Sequence, residues 1–184
     1  MLRQIHCLLD EADAVCTYNG KRFDIPTLNK EFVKIGLTPP APYKQIDLLS
    51  TARSQFRFAS NKLDYVARFL GLGSKLQHKG HDLWKGCMEG DPEALAQMEA
   101  YNKHDVILLE RVYQVLLPWI RGHYNISNSS GTLVCPKCGG NHYQRRGSSV
   151  TTAGNYPRFH CQSCGAWFRG NKSETKGKDK FIEL

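Results

Sequence analysis

Two short stretches hold the acidic residues best placed for chemistry, "NGKRFD" (19–24) and "YNKHD" (101–105). The second puts Tyr101 and Asp105 one helical turn apart on one face. The first sets Asn19, Phe23 and Asp24 where a strand gives way to a helix. Two carboxylates on separate elements, with a phenol beside one, are the parts of a phosphodiester-hydrolysing site built on Mg²⁺ or Mn²⁺. Such hard ions take oxygen ligands, and a positioned hydroxyl orients the attacking water. Both motifs also have plainer readings. Asp24 can be a helix N-cap, and Tyr101 with Asp105 the polar face of a surface helix.

A second constellation is made of sulfur. Cys135 and Cys138 in "CPKCGG", with Cys161 and Cys164 in "CQSCGAW", form two C-x-x-C pairs separated by 22 residues. Each pair sets two thiolates on one tight turn, and the following Gly permits a positive φ while backbone amides point at sulfur. That is the pattern of a tetrahedral Zn²⁺ site. A disulfide framework would need an oxidising compartment, for which nothing in the sequence argues. Cys7, Cys16 and Cys87 sit in apolar surroundings and read as core filler. Between the knuckles, "HYQRRGSSV" and "YPRFH" read as short strands joined by a Gly and Ser loop. There Arg145, Arg146, Arg158 and Arg169 alternate with Tyr143, Tyr156, Phe159, Trp167 and Phe168, a mixture that grips phosphates and stacks bases. In so small a module most of those aromatics must form the core. His142 and His160 are bystanders where four thiolates are present.

The elements that must position these groups alternate. Residues 2–12 have helical apolar spacing, 14–18 is a short apolar strand, and 24–36 is a helix capped by Asp24 and stopped by Gly36. Residues 43–49 read as a strand running into a helix, 61–71 as a capped amphipathic helix, and 91–120 as a long helical stretch. Asp47 and Asp64, near helix starts, read as caps or solvated acids, and His78 and His81 as solvent-facing. Alternation of this kind predicts an α/β body. The Ser- and Asn-rich "GHYNISNSSGT" (122–132) reads as a linker. The expected division is therefore a body at 1–121, a linker at 122–132, a ribbon at 133–171 and a basic flexible tail at 172–184.

Charge follows the same division. The 184 residues carry a net charge of +8, of which residues 135–184 supply +6 and the first 134 only +2. A near-neutral body with a basic end points to a polyanionic partner, nucleic acid. No apolar run is long enough for a membrane span, and the first residues lack a signal-peptide pattern. The expected location is the cytoplasm, of a bacterial cell or of a virus-infected host.

"YNGKRFDIP" and "YNKHDV" resemble the second and third motifs of the DEDD exonucleases of the tyrosine type, which include the proofreading domains of family B DNA polymerases. The likeness spans about residues 8–117, and residues 132–170 resemble a zinc ribbon. The resemblance implies a ribonuclease H-like fold and 3′-to-5′ exonuclease activity on single strands or 3′ ends. By it Asp24 and Asp105 are metal-binding carboxylates, Tyr101 orients the nucleophilic water, and Asn19 and Phe23 shape the site. Arg145, Arg146 and Arg158 are the expected substrate contacts of the ribbon. The family's first motif, D-x-E, is absent: "DEAD" at 10–13 has the wrong spacing on the wrong element. The expectation is an N-terminally truncated ribonuclease H-like domain, part of an exonuclease whose start has been trimmed, misassigned or split into another chain that supplies the missing motif. The competing readings are a non-catalytic, ribbon-based nucleic-acid binder and a docking module of a replication complex.

Overall fold

The computed structural model describes residues 1–76, 80–130 and 133–175. His78 lies outside them, as do positions 131–132 of the expected linker and 176–184 of the expected tail. The chain divides into two compact units, Met1–Leu116 and Leu117–Leu184.

In the first unit α1 (Leu2–Glu11) leads into β1 (Ala14–Thr17), then α2 (Asp24–Lys34) and β2 (Lys44–Asp47). The strands pair in parallel, from Ala14 opposite Lys44 to Thr17 opposite Asp47, so α2 is a crossover helix. Next come α3 (Leu48–Gln55), α4 (Leu63–Phe69), α5 (His81–Glu89) and the long α6 (Pro92–Leu116). Helix α6 packs against α3, α4 and α5, and α1 against α2. The buried core joins Leu9, Phe32, Leu48, Ala52, Val66, Leu108, Val112 and Leu116 from these elements. The α6 members recur at helical spacing, which gives that helix one stripe for the core. This is a mixed α/β unit.

Local chemistry explains the element ends, with two corrections. The sequence makes Asp24 the cap of α2, but Phe23 holds the N-cap position and no side chain caps the helix. The preceding turn already supplies acceptors: Phe23 N–H donates to Asn19 O at 3.1 Å and Ile25 N–H to Gly20 O at 2.9 Å. Asp24 instead occupies the first turn, where its charge suits the helix dipole. Helix α4 likewise starts at Lys62 without a side-chain cap. Its end is closed by Gly71, φ 70°, with Leu72 N–H on Ala67 O at 2.9 Å.

In the second unit a single 3-10 turn (Leu117–Trp119) precedes the short α7 (Ser127–Ser130), which falls inside the stretch expected to be a linker. Then β3 (Tyr143–Thr151), β4 (Gly154–Cys161) and β5 (Trp167–Arg169) form an antiparallel sheet in the order β3-β4-β5. The Gly and Ser residues at 147–149 are not the connecting loop, as the sequence suggested. They belong to β3, where the register shifts between Arg145 and Ser148, and the chain reverses at Thr152–Ala153. A bulge at Gly147, φ 71°, absorbs the extra residue, so the strand continues past it.

Candidate active site and cysteine centre

At the C-terminal end of β1 the chain turns sharply through Asn19, whose φ of 70° is the only positive value among the described non-glycine residues. Asn tolerates this left-handed region better than most side chains. The turn is tied down by Asp47 at the end of β2. Its buried carboxylate accepts from Asn19 N–H at 2.9 Å, Lys21 N–H at 3.3 Å and, as N-cap of α3, Leu49 N–H at 3.0 Å. Asp47 is thus the cap the sequence predicts, and also the clasp of the neighbouring turn. Behind it, burial and then the Asp47 charge push the Cys16 thiol up to about 11 and the Tyr18 phenol up to about 12. Tyr18 donates its hydroxyl to Asn61 O at 2.8 Å.

Beside this turn lies a cavity of about 780 Å³, lined by Tyr18, Asn19, Arg53, Asn61, Lys75 and Asp105 among others. Its size suits a nucleotide-sized ligand. Helix α6 contributes Asp105, with Tyr101 one turn before it. Lys75, from the loop after α4, bonds both: its ammonium is 2.5 Å from Asp105 Oδ2 and 3.1 Å from the Tyr101 hydroxyl. Burial opposes the charge on Lys75, but the contacts with Asp105 and Tyr101 outweigh it and raise the lysine pKa. Asp105 Oδ1 is buried without a hydrogen-bond partner, as is Asn61 Oδ1.

Asn19 and Asp105 therefore line one cavity, with Tyr101 joined to it through Lys75. Asp24 and Phe23 are exposed and do not line that cavity. The residues not foreseen from the sequence are Lys75, Arg53, Asn61 and the clasp role of Asp47. "GLGSK" offered the only hint, a lysine after two turn-forming glycines. The donor set suits a cation at Asp105, since one oxygen has open lone pairs and the other already holds an ammonium. It does not amount to a two-ion site. Among the described residues, the four ribbon cysteines are the only group of three or more His, Cys, Asp or Glu residues close enough to share a metal.

Those cysteines fit a metal closely. Their sulfurs lie within 4.8 Å of one another, with Cys135 to Cys164 at 3.8 Å and Cys138 to Cys161 at 3.7 Å. A tetrahedron with Zn–S bonds of about 2.3 Å has S···S edges of about 3.8 Å. The knuckles repeat one another: Gly139 N–H donates to Cys135 O at 2.9 Å and Gly165 N–H to Cys161 O at 3.1 Å, with both glycines near φ 75°. Burial opposes ionisation of Cys161, but the amides of Cys164 and Ser163 and the neighbouring sulfurs outweigh it and bring the thiol to about 7. At Cys138 and Cys164 burial dominates and the thiols are pushed up. The small antiparallel sheet and the four-cysteine cluster are consistent with a zinc ribbon. His142 and His160 lie outside the cluster. Cys16 and Cys87 are half-buried, but Cys7 is exposed on α1 and fills no core.

The sheet sorts its aromatics by strand parity. Tyr143, Phe159 and Phe168 cluster on one face, with ring centroids 5.5–5.6 Å apart. On the other, Arg158 lies 5.2 Å from the Trp167 ring, His160 stacks on Trp167 at 4.6 Å, and Arg169 lies 4.2 Å from the Tyr156 ring. Of the expected contacts, Arg145 is paired with Glu174, Arg146 is exposed, and Arg158 belongs to this cationic face.

No helix among the described residues is long and apolar enough to cross a membrane. A sequence model of the RNase H superfamily matches residues 1–117. A search of curated proteins found no match.

Proposed function

The chain belongs to the RNase H superfamily, and from that premise we propose that its first unit is the 3′-to-5′ exonuclease body its motifs resemble. Membership supports a nuclease-like function and a nucleic-acid substrate, and nucleases of this superfamily generally use divalent metals. The observation that carries the finer reading is the cavity between the Asn19 turn and α6, where Asp105 has a buried, unpartnered oxygen and shares Lys75 with the Tyr101 hydroxyl.

In this reading Asp105 would hold Mg²⁺ or Mn²⁺ and Tyr101 would orient the attacking water through its hydroxyl; Asp24, which the motif resemblance also assigns to the metal, lies outside the cavity lining. The ions supply Lewis acidity and a nucleophile at neutral pH. Asn19 and Phe23 flank the strand end. Further carboxylates would come from the family's first motif, on a partner chain or on a longer form of this one. The second unit is a zinc ribbon that holds the strand by stacking on Trp167 and by the charges of Arg146, Arg158 and Arg169. The test is a nuclease assay on 5′-labelled single-stranded DNA and RNA with Mg²⁺ or Mn²⁺. Stepwise shortening is expected, lost by a factor of about 10³ in Asp105→Ala, in line with removal of one electrostatic catalytic group. No shortening from folded, zinc-loaded protein, with or without added partner, sinks this reading.

One observation favours an alternative. Lys75 neutralises Asp105, which suits a non-catalytic protein that binds nucleic acid through its ribbon. In that case binding survives Asp24→Ala and Asp105→Ala and is abolished by loss of zinc.

A further inference from the structure

The Lys75 ammonium holds Asp105 Oδ2, next to the unpartnered Oδ1 that a cation would take. The two groups are in direct contact, a charge-assisted bond with no room for an ion between them. A divalent ion on either oxygen of this carboxylate would lie within a few ångströms of the ammonium, and like charges at that range repel strongly away from bulk water.

The placement is built in from three sides. Helix α6 straps the loop that carries Lys75: Arg111 donates to Leu72 O at 3.4 Å, and His104 Nε2–H to Ser74 O at 2.8 Å. Lys75's own N–H donates to Asp64 Oδ1 at 2.8 Å. Gly71 and Gly73, with φ of 70° and 109°, supply bends that other residues would resist. His104 and Arg111 lie two turns apart on one α6 face and Asp105 follows His104, so the helix that carries the carboxylate also aims the lysine.

The strap fixes the backbone of Lys75, whereas its four-carbon stem can swing. The side chain is 31% exposed and lines the cavity with Arg53 and Lys62. A phosphate entering there meets three basic side chains, of which, among the described residues, Lys75 alone is held by a carboxylate.

We propose that Lys75 is the resident counter-ion of Asp105, keeping divalent cations off that carboxylate until the phosphate of a bound strand draws the ammonium away. The first half rests on geometry alone. The second rests on the nucleic-acid reading of the cavity. Phosphate and cation then bind cooperatively, each raising affinity for the other by the same factor. The free chain is spared a permanently occupied, reactive metal centre.

The test is Mn²⁺ binding followed by electron paramagnetic resonance on the zinc-loaded full chain, with and without a phosphorothioate thymidine tetranucleotide that resists hydrolysis. Wild type alone is expected to bind Mn²⁺ weakly, and Lys75→Met at least about tenfold more tightly, because the competing charge is gone. That gain disappears in the Lys75→Met/Asp105→Asn double variant, and Lys75→Arg behaves as wild type. The tetranucleotide tightens Mn²⁺ binding to wild type but not to Lys75→Met. Equal Mn²⁺ affinity in wild type and in a Lys75→Met protein with unchanged circular dichroism and zinc content overturns the proposal. A tetranucleotide that fails to bind counts against the nucleic-acid reading and the coupling, and leaves the Mn²⁺ comparison to decide the role of Lys75.

Discussion

The two units gather ionisable groups in opposite ways. In the first, acids end on donors the protein itself provides: Asp105 on Lys75, Asp47 on three backbone N–H groups, Asp64 on the Lys75 amide and Arg68. In the second, four sulfurs converge on one centre, and Lys137, inside the first knuckle, directs its ammonium to backbone carbonyls instead. The contrast extends to the cores. The first unit buries a stripe of α6 against apolar side chains of several elements, while the buried cluster of the second is Cys135, Cys161 and Ala166. One unit folds around hydrocarbon and balances its charges internally; the other has a core that calls for an external cation.

The most forceful way to break this contrast is to strip the zinc proposed for the cysteine cluster. Structural zinc contributes about 10–16 kcal/mol of apparent folding free energy in small domains, far more than so small an apolar core. A chelator should therefore abolish amide-exchange protection in β3–β5 and leave the amides of Leu108 and Val112 protected. Persistent protection of the hairpin would erase the distinction.

Next in size is Asp47→Ala, which strips three N–H groups of their acceptor and a helix of its cap. A loss of about 3 kcal/mol is expected, read by denaturant titration of the first unit's transition. A cost under about 0.5 kcal/mol would mean that the Asn19 turn holds itself, as surface substitutions typically do.

Smaller again is Trp167→Ala, which should weaken single-strand binding by about 1–3 kcal/mol in a salt-dependent anisotropy titration. Because Trp167 is 53% exposed, the stability of the ribbon should hardly change. The smallest effect belongs to Tyr18→Phe, at about 1 kcal/mol for its hydrogen bond to Asn61. The Tyr18 pKa is raised from 10.0 to about 12, so its contribution is complete below pH 10 and lost as pH rises towards 12. The melting-temperature gap between wild type and Tyr18→Phe should close over that interval.

What could be read from the sequence was whatever local spacing decides. The knuckles needed only a C-x-x-C turn and its glycine, and the end of α2 only Gly36, which takes φ 74°. Tyr101 and Asp105 were paired by helical period alone. What escaped were contacts across long loops. Lys75 reaches Asp105 thirty residues away, and Asp47 reaches Asn19 across the β1–β2 pairing. Nothing within a ten-residue window encodes either meeting. The Asp24 cap failed for a related reason: the preceding turn had already satisfied the amides that a side chain would have served.

Lys137 joins the metal centre to the strand of chain before it. Its ammonium donates to Leu117 O at 3.1 Å and to Pro118 O and Ile120 O at 2.7 Å each, from a position between two cysteines of the cluster. If the knuckle opens, those three carbonyls lose the ammonium together, and the neighbouring Arg121–Gly122 bond gains the slack a protease needs to seat it. Trypsin cleavage at Arg121 would then act as a gauge of metal content, silent in loaded protein and prompt once the cysteines let go.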